Sequence, residues 1–275
     1  MTASISRPAA APRQATRLGS VSYLNAKPLI YGLDEADDLR LTLDIPANLL
    51  EGLRDGRFDV ALLPIIDYQH LPGARLLQSG GIGSDGTTYT VRIFSRVPMQ
   101  EIITLACDSH SHTSVGLARV ILAETYGVRP KLLDLQHLQP SPAAARADAQ
   151  LLIGDKVVAA APSGYPHQLD LGEGWKQLTG LPFLFAAWVA RPGVELGDLP
   201  QRLERAKHEG VAHVDLIVQR FAAAHGWPAP LAHRYLSQYL KFDVGPAQIA
   251  AMERFFALCS AHGILGQPPR ELVLA

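Results

Sequence analysis

The stretch Leu18-Gly19-Ser20-Val21-Ser22-Tyr23-Leu24-Asn25-Ala26-Lys27-Pro28-Leu29 decides the fold. It reads as a short strand, a turn and the first turn of a helix. Pro28 suits a first helical position, where its fixed φ is already right and no intrahelical donor is lost. Proline also biases Lys27 away from helical geometry, so the helix is expected to begin after Lys27. Tyr23, Leu24 and Asn25 then lie on the loop between strand and helix. In open α/β sheets ligands sit at the carboxyl ends of strands beside helix N-termini. Asn25 is therefore either a loop residue that satisfies backbone groups or a neutral donor and acceptor placed where a small anion docks.

The pattern repeats downstream. Leu39-Arg40-Leu41-Thr42-Leu43-Asp44-Ile45 alternates apolar and polar residues, the period of a half-buried strand. Pro46 opens a helix, and Val60 to Pro64 is a second apolar strand that proline stops. This βαβαβ series predicts a parallel sheet with right-handed crossovers. Gly80-Gly81-Ile82-Gly83-Ser84-Asp85-Gly86 is the densest glycine cluster. Its spacing is not that of a dinucleotide site, and a strand from Tyr89 to Ser95 follows it. It reads as a loop, or as a set of backbone amides open to an anion. On that strand Thr90, Arg92 and Phe94 share a face.

Ile102 to Ala106 is a further strand, leading through Ser109, His110 and His112 to a helix from Val115 to Tyr126. Thr113 and Ser114 suit its cap, and their hydroxyls with the free first-turn amides would also hold a carboxylate. His110 and His112 lack a Cys, Asp or Glu partner at a usual ligand spacing, so no metal site is expected. Strands are expected at Leu132 to Leu135 and Ala149 to Asp155, with a short helix over Ser141 to Asp148. Residues 170–182 read as a turn-rich crossing, and Phe183 to Ala190 as a nearly all-apolar strand. From Leu199 to Gly263 the pattern is helical, broken at Gly210, Gly226-Trp227-Pro228 and Asp243 to Pro246.

Composition narrows the function. Of the 275 residues 48% are hydrophobic and 19% charged, as in ordinary globular proteins, and the formal net charge is -1. That balance gives no footprint for nucleic acid or an anionic membrane. Cys107 and Cys259 form neither a metal spacing nor a disulfide framework and fit a reducing compartment. Residues 1–16 lack the apolar core of a secretory signal, and a disordered tail in a cytoplasmic protein is expected. The plan is two α/β lobes, residues 17–95 with 184–275 and residues 96–183, with chain crossings near Phe94 to Val97 and Pro182 to Phe185. A ligand cleft would lie between the lobes.

Several stretches together resemble chorismate dehydratase of the futalosine route to menaquinone, over about residues 17 to 265. They are Val21 to Leu29, Ser84-Asp85-Gly86, Ser109 to Ser114, Leu152 to Asp155, and Trp175 through Thr179-Gly180-Leu181-Pro182-Phe183 to Trp188. The resemblance implies an α/β fold of the type II periplasmic-binding-protein kind, used as an enzyme. It implies dehydration of chorismate, a small dicarboxylate, without metal or organic cofactor. The family's active-site Asn falls on Asn25, its Thr-Ser pair on Thr113 and Ser114, and a substrate-binding Ser on Thr90, which keeps the hydroxyl. His112 stands where an Arg is expected in some relatives. The same match puts Tyr23, Ser84, Asp85, Gly86, Ser109, Gly154 and Asp155 among the expected substrate contacts. Asp85, His110 and His112 are the only candidates there for a strong base. The alternatives are a non-catalytic binding protein for a small carboxylate, against which the missing export signal argues, and the sister enzyme 1,4-dihydroxy-6-naphthoate synthase.

Overall fold

Two mixed sheets form the frame, as described by a computed structural model for residues 15–107, 111–135, 147–159 and 163–275. The first sheet has six strands: β1 (Thr16–Ser20), β2 (Leu39–Leu43), β3 (Val60–Pro64), β4 (Arg75–Ser84), β10 (Phe183–Ala190) and β11 (Leu240–Lys241), in the order β11-β4-β10-β3-β1-β2. β1 pairs in parallel with both β2 and β3, as the alternating pattern predicts. β10 returns antiparallel between β3 and β4. The second sheet has five strands: β5 (Val91–Ser95), β6 (Thr104–Cys107), β7 (Lys131–Asp134), β8 (Ala149–Ile153) and β9 (His167–Asp170), in the order β7-β6-β8-β5-β9.

Helix α1 (Pro46–Arg54) starts at its proline as expected. Helix α2 (His112–Tyr126) follows β6, and α3 (Asp155–Ala159) and α4 (Leu171–Thr179) follow β8 and β9. The chain closes with α5 (Leu199–Ala212), α6 (Val214–Phe221), α7 (Ala229–Arg234) and α8 (Pro246–Ala261).

Several expectations are corrected. The opening helix is a 3-10 segment, Leu24–Ile30, that already includes Asn25 and holds Pro28 in its interior. A run of i→i+3 turns has no i→i−4 ladder for the proline ring to interrupt. The glycine cluster is strand as far as Ser84, not loop. A Cβ on Gly81 would lie 2.6 Å from the Ala186 carbonyl oxygen, and one on Gly83 2.6 Å from that of Phe183. The glycines thus let β4 run close against β10, through a register shift beside Gly80 at φ +151°. β5 pairs antiparallel with β8 and β9, so the first crossing between sheets lies within 85–90 rather than near Phe94 to Val97. Thr16 already pairs with Leu39, so the tail assigned to residues 1–16 ends earlier, and residues 1–14 lie outside the described residues.

The turn-rich crossing is β9 and α4. Asp170 caps α4, accepting from the amides of Gly172 and Glu173 at 3.0 and 3.2 Å. Gly180 ends it at φ +73°. Trp175 then donates its indole N–H to the Pro182 carbonyl at 2.9 Å and packs edge-on against Phe183 and Phe255, centroids 5.2 and 6.1 Å away. The Trp…Thr-Gly-Leu-Pro-Phe stretch is therefore the second crossing, locked into the core. Gly210 does not break α5: a Cβ there would lie 2.1 Å from the Pro28 carbonyl oxygen, so the helix uses it to reach the Leu24–Ile30 segment. Two-residue β11 was not expected within the helical tail. The helix expected over Ser141 to Asp148 falls mostly outside the described residues.

Candidate active site

Both sheets present carboxyl ends of parallel strands to one cavity, the geometry in which α/β folds bind ligands. From β1 come Val21, Tyr23 and Asn25, and from β3 Leu62 and Pro64. From the other side come Ile153 and Gly154 after β8, and Ser111 to Ser114 at the start of α2. Thr88, Thr90 and Val91 line it at the first crossing, with Ile82, Phe185 and Ala186 behind. The empty space, open mouth included, is about 700 Å³. Among the described residues that line it there is no Lys, Arg, Asp or Glu.

The polar part of the wall is organised by Tyr235, a residue with no signal in the sequence. Its hydroxyl shares a 2.8 Å hydrogen bond with Thr90 Oγ1, and Asn25 lines the same cavity. Tyr235 is buried and stacks on Trp227 at 4.7 Å. Burial pushes its phenol well above the ordinary tyrosine pKa, so it stays neutral. Asn25 Oδ1 is buried without a partner. Such an atom is costly unless a ligand completes it, which marks Asn25 as the point where a substrate donor or a water would bind.

Thr90 is held in place by strain next to it. Tyr89 adopts φ +67°, rare for a residue with a side chain. The amides of Thr88 and Tyr89 donate to the two Asp170 oxygens at 3.0 and 2.8 Å, and the Tyr89 ring stacks on Tyr239 at 5.5 Å. These contacts over-determine the crossing.

On the opposite wall the first turn of α2 faces the cavity. Ser111 is its N-cap but makes no side-chain cap bond, so Thr113 and Ser114 are not caps but first-turn residues. Thr113 Oγ1 accepts from the Ile66 amide at 3.3 Å, tying α2 to the first lobe. Ser114 is buried and lines the cavity. His112 places Nδ1 at 2.8 and 3.0 Å from the two oxygens of buried Asp67, which raises its pKa. Among the described residues no three His, Cys, Asp or Glu side chains gather as a metal site.

Of the residues expected from the sequence, Tyr23, Asn25, Thr90, Thr113, Ser114 and Gly154 line this cavity. Four others are not among the residues that line it. Ser84 is buried at the end of β4, where a Cβ on Gly172 would come within 2.6 Å of its hydroxyl. Asp85 is exposed and pairs with Lys176 at 2.7 Å, and Gly86 makes a turn at φ +102° against α4. β4 continues through its glycines to Ser84, so Ser84 is a sheet residue and Asp85 and Gly86 follow it against α4. Asp155 accepts from Trp227 Nε1 at 2.7 Å and His225 Nδ1 at 2.8 Å, a tie between α3 and the C-terminal helices. Ser109 and His110 lie outside the described residues. A sequence signal for the Thr90–Tyr235, Asp67–His112 and Tyr89–Asp170 contacts was lacking, since those partners lie 145, 45 and 81 positions apart.

Comparison with known proteins agrees with this architecture. The family model described as menaquinone biosynthesis matches residues 16–261. The chain is 28% identical over 242 residues to the chorismate dehydratase of Thermus thermophilus, covering 80% of this chain and 86% of that protein. It is 25% identical over 279 residues to the 1,4-dihydroxy-6-naphtoate synthase of the same organism, covering 94% and 99%. A Candida albicans protein with the generic periplasmic binding protein fold superposes with a TM-score of 0.67 at 11% identity, over 96% of this chain and 98% of that one. Among the described residues no helix is long and apolar enough to cross a membrane.

Proposed function

The chain belongs to the menaquinone biosynthesis family, and from that premise we propose that it removes water from chorismate to give 3-[(1-carboxyvinyl)oxy]benzoate. The observation that carries this reading is the convergence of Asn25, Thr90, Thr113 and Ser114 on one cavity, with an unpartnered acceptor on Asn25.

Chorismate carries two carboxylates. The first-turn amides of α2 and the Thr113 and Ser114 hydroxyls hold one by dipole and hydrogen bonding. In the reaction a ring C–H proton leaves, the C–O bond to the hydroxyl breaks, and water departs as the ring becomes aromatic. Aromaticity supplies the driving force, so the protein's task is orientation. A substrate carboxylate accepts the ring proton, and Asn25 holds the reacting geometry. Asp85, exposed and paired with Lys176, takes no part.

The test is incubation with chorismate while ultraviolet absorbance reports an aromatic product. Conversion supports the reading. Binding without conversion favours a non-catalytic carboxylate-binding protein, and no interaction removes chorismate as the ligand. The second reading is the sister enzyme, favoured by the match to the naphtoate synthase along nearly both chains. Turnover of a cyclic futalosine derivative in place of chorismate would establish it.

A further inference from the structure

Loss of hydroxide from a carbon is slow unless a proton meets the departing oxygen. The question is which group on the cavity wall can give one near neutrality. Serine and threonine hydroxyls and the Asn25 amide are far too weak as acids. Tyrosine titrates near 10 in water, and burial pushes Tyr235 higher still. Among the described lining residues His112 is the one whose ordinary pKa lies near neutrality.

Its setting suits the task. A carboxylate can only accept, so the Asp67 contacts at 2.8 and 3.0 Å require the proton on His112 Nδ1. Nε2 is then the atom that gains and loses the second proton. The ring is only 37% exposed and its partner 2%, so the pair is held in one orientation at the cavity edge. Among the described residues, these ionisable groups surround it. Asp67 faces it from the Ile65–His70 segment, and Arg119 of α2, Cys107 of β6 and Asp134 of β7 border a recess on its outer side. Tyr23 and Tyr235 share the cavity with it.

We infer that His112, oriented by Asp67, is the catalytic acid that delivers a proton from Nε2 to the hydroxyl leaving the substrate. This rests on the dehydration reading above. The balance is complete: the C–O electron pair departs on oxygen, Nε2–H gives its proton to form water, and the imidazole is left neutral. The ring proton taken up by the substrate carboxylate then returns to Nε2 directly or through solvent, restoring the imidazolium. Asp67 keeps the accepting carboxylate against Nδ1 and so acts as a positioning residue.

The experiment is steady-state turnover of chorismate across pH by the wild type, His112→Gln, His112→Gly and Asp67→Asn. His112→Gln is expected to lose ~10²- to 10⁴-fold in kcat, with a much smaller change in KM. Wild-type kcat should fall as pH rises through a pKa above the ordinary imidazole value, and His112→Gln should lack that limb. Added imidazole should restore part of the His112→Gly rate, and Asp67→Asn should move the limb to lower pH. Calorimetric binding of the aromatic product keeps a misfolded variant from passing as a chemical loss, and Asp67→Asn carries the test if the His112 variants do not fold. A His112→Gln enzyme within about threefold of wild-type kcat, or one that keeps the limb, overturns this inference alone. A wild type that leaves chorismate unchanged overturns both this inference and the dehydration reading.

Discussion

Two ties cross the cleft beside the cavity, and they are made of opposite materials. At the first crossing, neutral Thr90 meets neutral Tyr235 at 2.8 Å, with Asn25 lining the same cavity. At the start of α2, His112 meets the buried carboxylate of Asp67. The first tie joins groups that keep one protonation state through the physiological range, so its geometry does not respond to pH. The second pairs a carboxylate with an imidazole whose pKa it raises, and its strength depends on whether that imidazole is protonated. A site that must hold a substrate in one pose and also move protons needs both kinds, and here they stand on facing walls.

The comparison can be broken most directly at Asn25. Asn25→Ala should lower chorismate turnover by ~10²–10³, the loss of about 2.7–4 kcal/mol seen when an oriented donor is removed from a site of this kind. Steady-state absorbance measures it, and full turnover would detach the neutral tie from chemistry. Gly210→Ala strikes the same segment from behind, since its Cβ would meet the Pro28 carbonyl at 2.1 Å. We expect a loss of about 3 kcal/mol in denaturant unfolding, together with reduced turnover, because the segment carrying Asn25 must move.

Tyr235→Phe removes the centre of the neutral tie while keeping the ring. Thr90 is buried and loses this partner, so a destabilisation of about 2 kcal/mol is expected, independent of pH between 6 and 9. The smallest effect belongs to the charged tie. The pKa of His112 is raised in the fold, so its contribution to stability is full below the unfolded value near 6.5 and fades as pH rises through the folded value. The stability gap between wild type and Asp67→Asn should therefore be wider at pH 6 than at pH 9 in paired denaturation curves. An unchanged gap would show that the tie is not ionic.

Local pattern carried much of the architecture. Alternation in Leu39 to Leu43, Pro46 at a helix start and the apolar run before Pro64 mark β2, α1 and β3 directly. Glycine misled wherever its use was tertiary. Gly81 and Gly83 look like loop residues because the reason for them is the carbonyl oxygens of β10, about a hundred positions on. Gly172 and Gly174 hid α4 in the same way: a Cβ on Gly172 would lie 2.4 Å from the Gly86 carbonyl oxygen. At the site, Asn25, Thr113 and Ser114 could be proposed because each stands next to a strand end or helix start. Ser84 ends β4, and Asp85 and Gly86 follow it, a placement that reading the cluster as a loop did not give.

By itself the sequence determined the parallel βαβαβ opening, the neutral overall charge and the family resemblance, since each depends on spacing between near neighbours or on matching stretches in order. Only the tertiary structure decided that Tyr235 would reach Thr90, that Asp67 would hold His112, and that Asp155 would tie the lobes and not face the cavity. Those outcomes depend on where two sheets bring distant side chains together, and a hydrogen bond across 145 positions leaves no trace in the residues on either side of it.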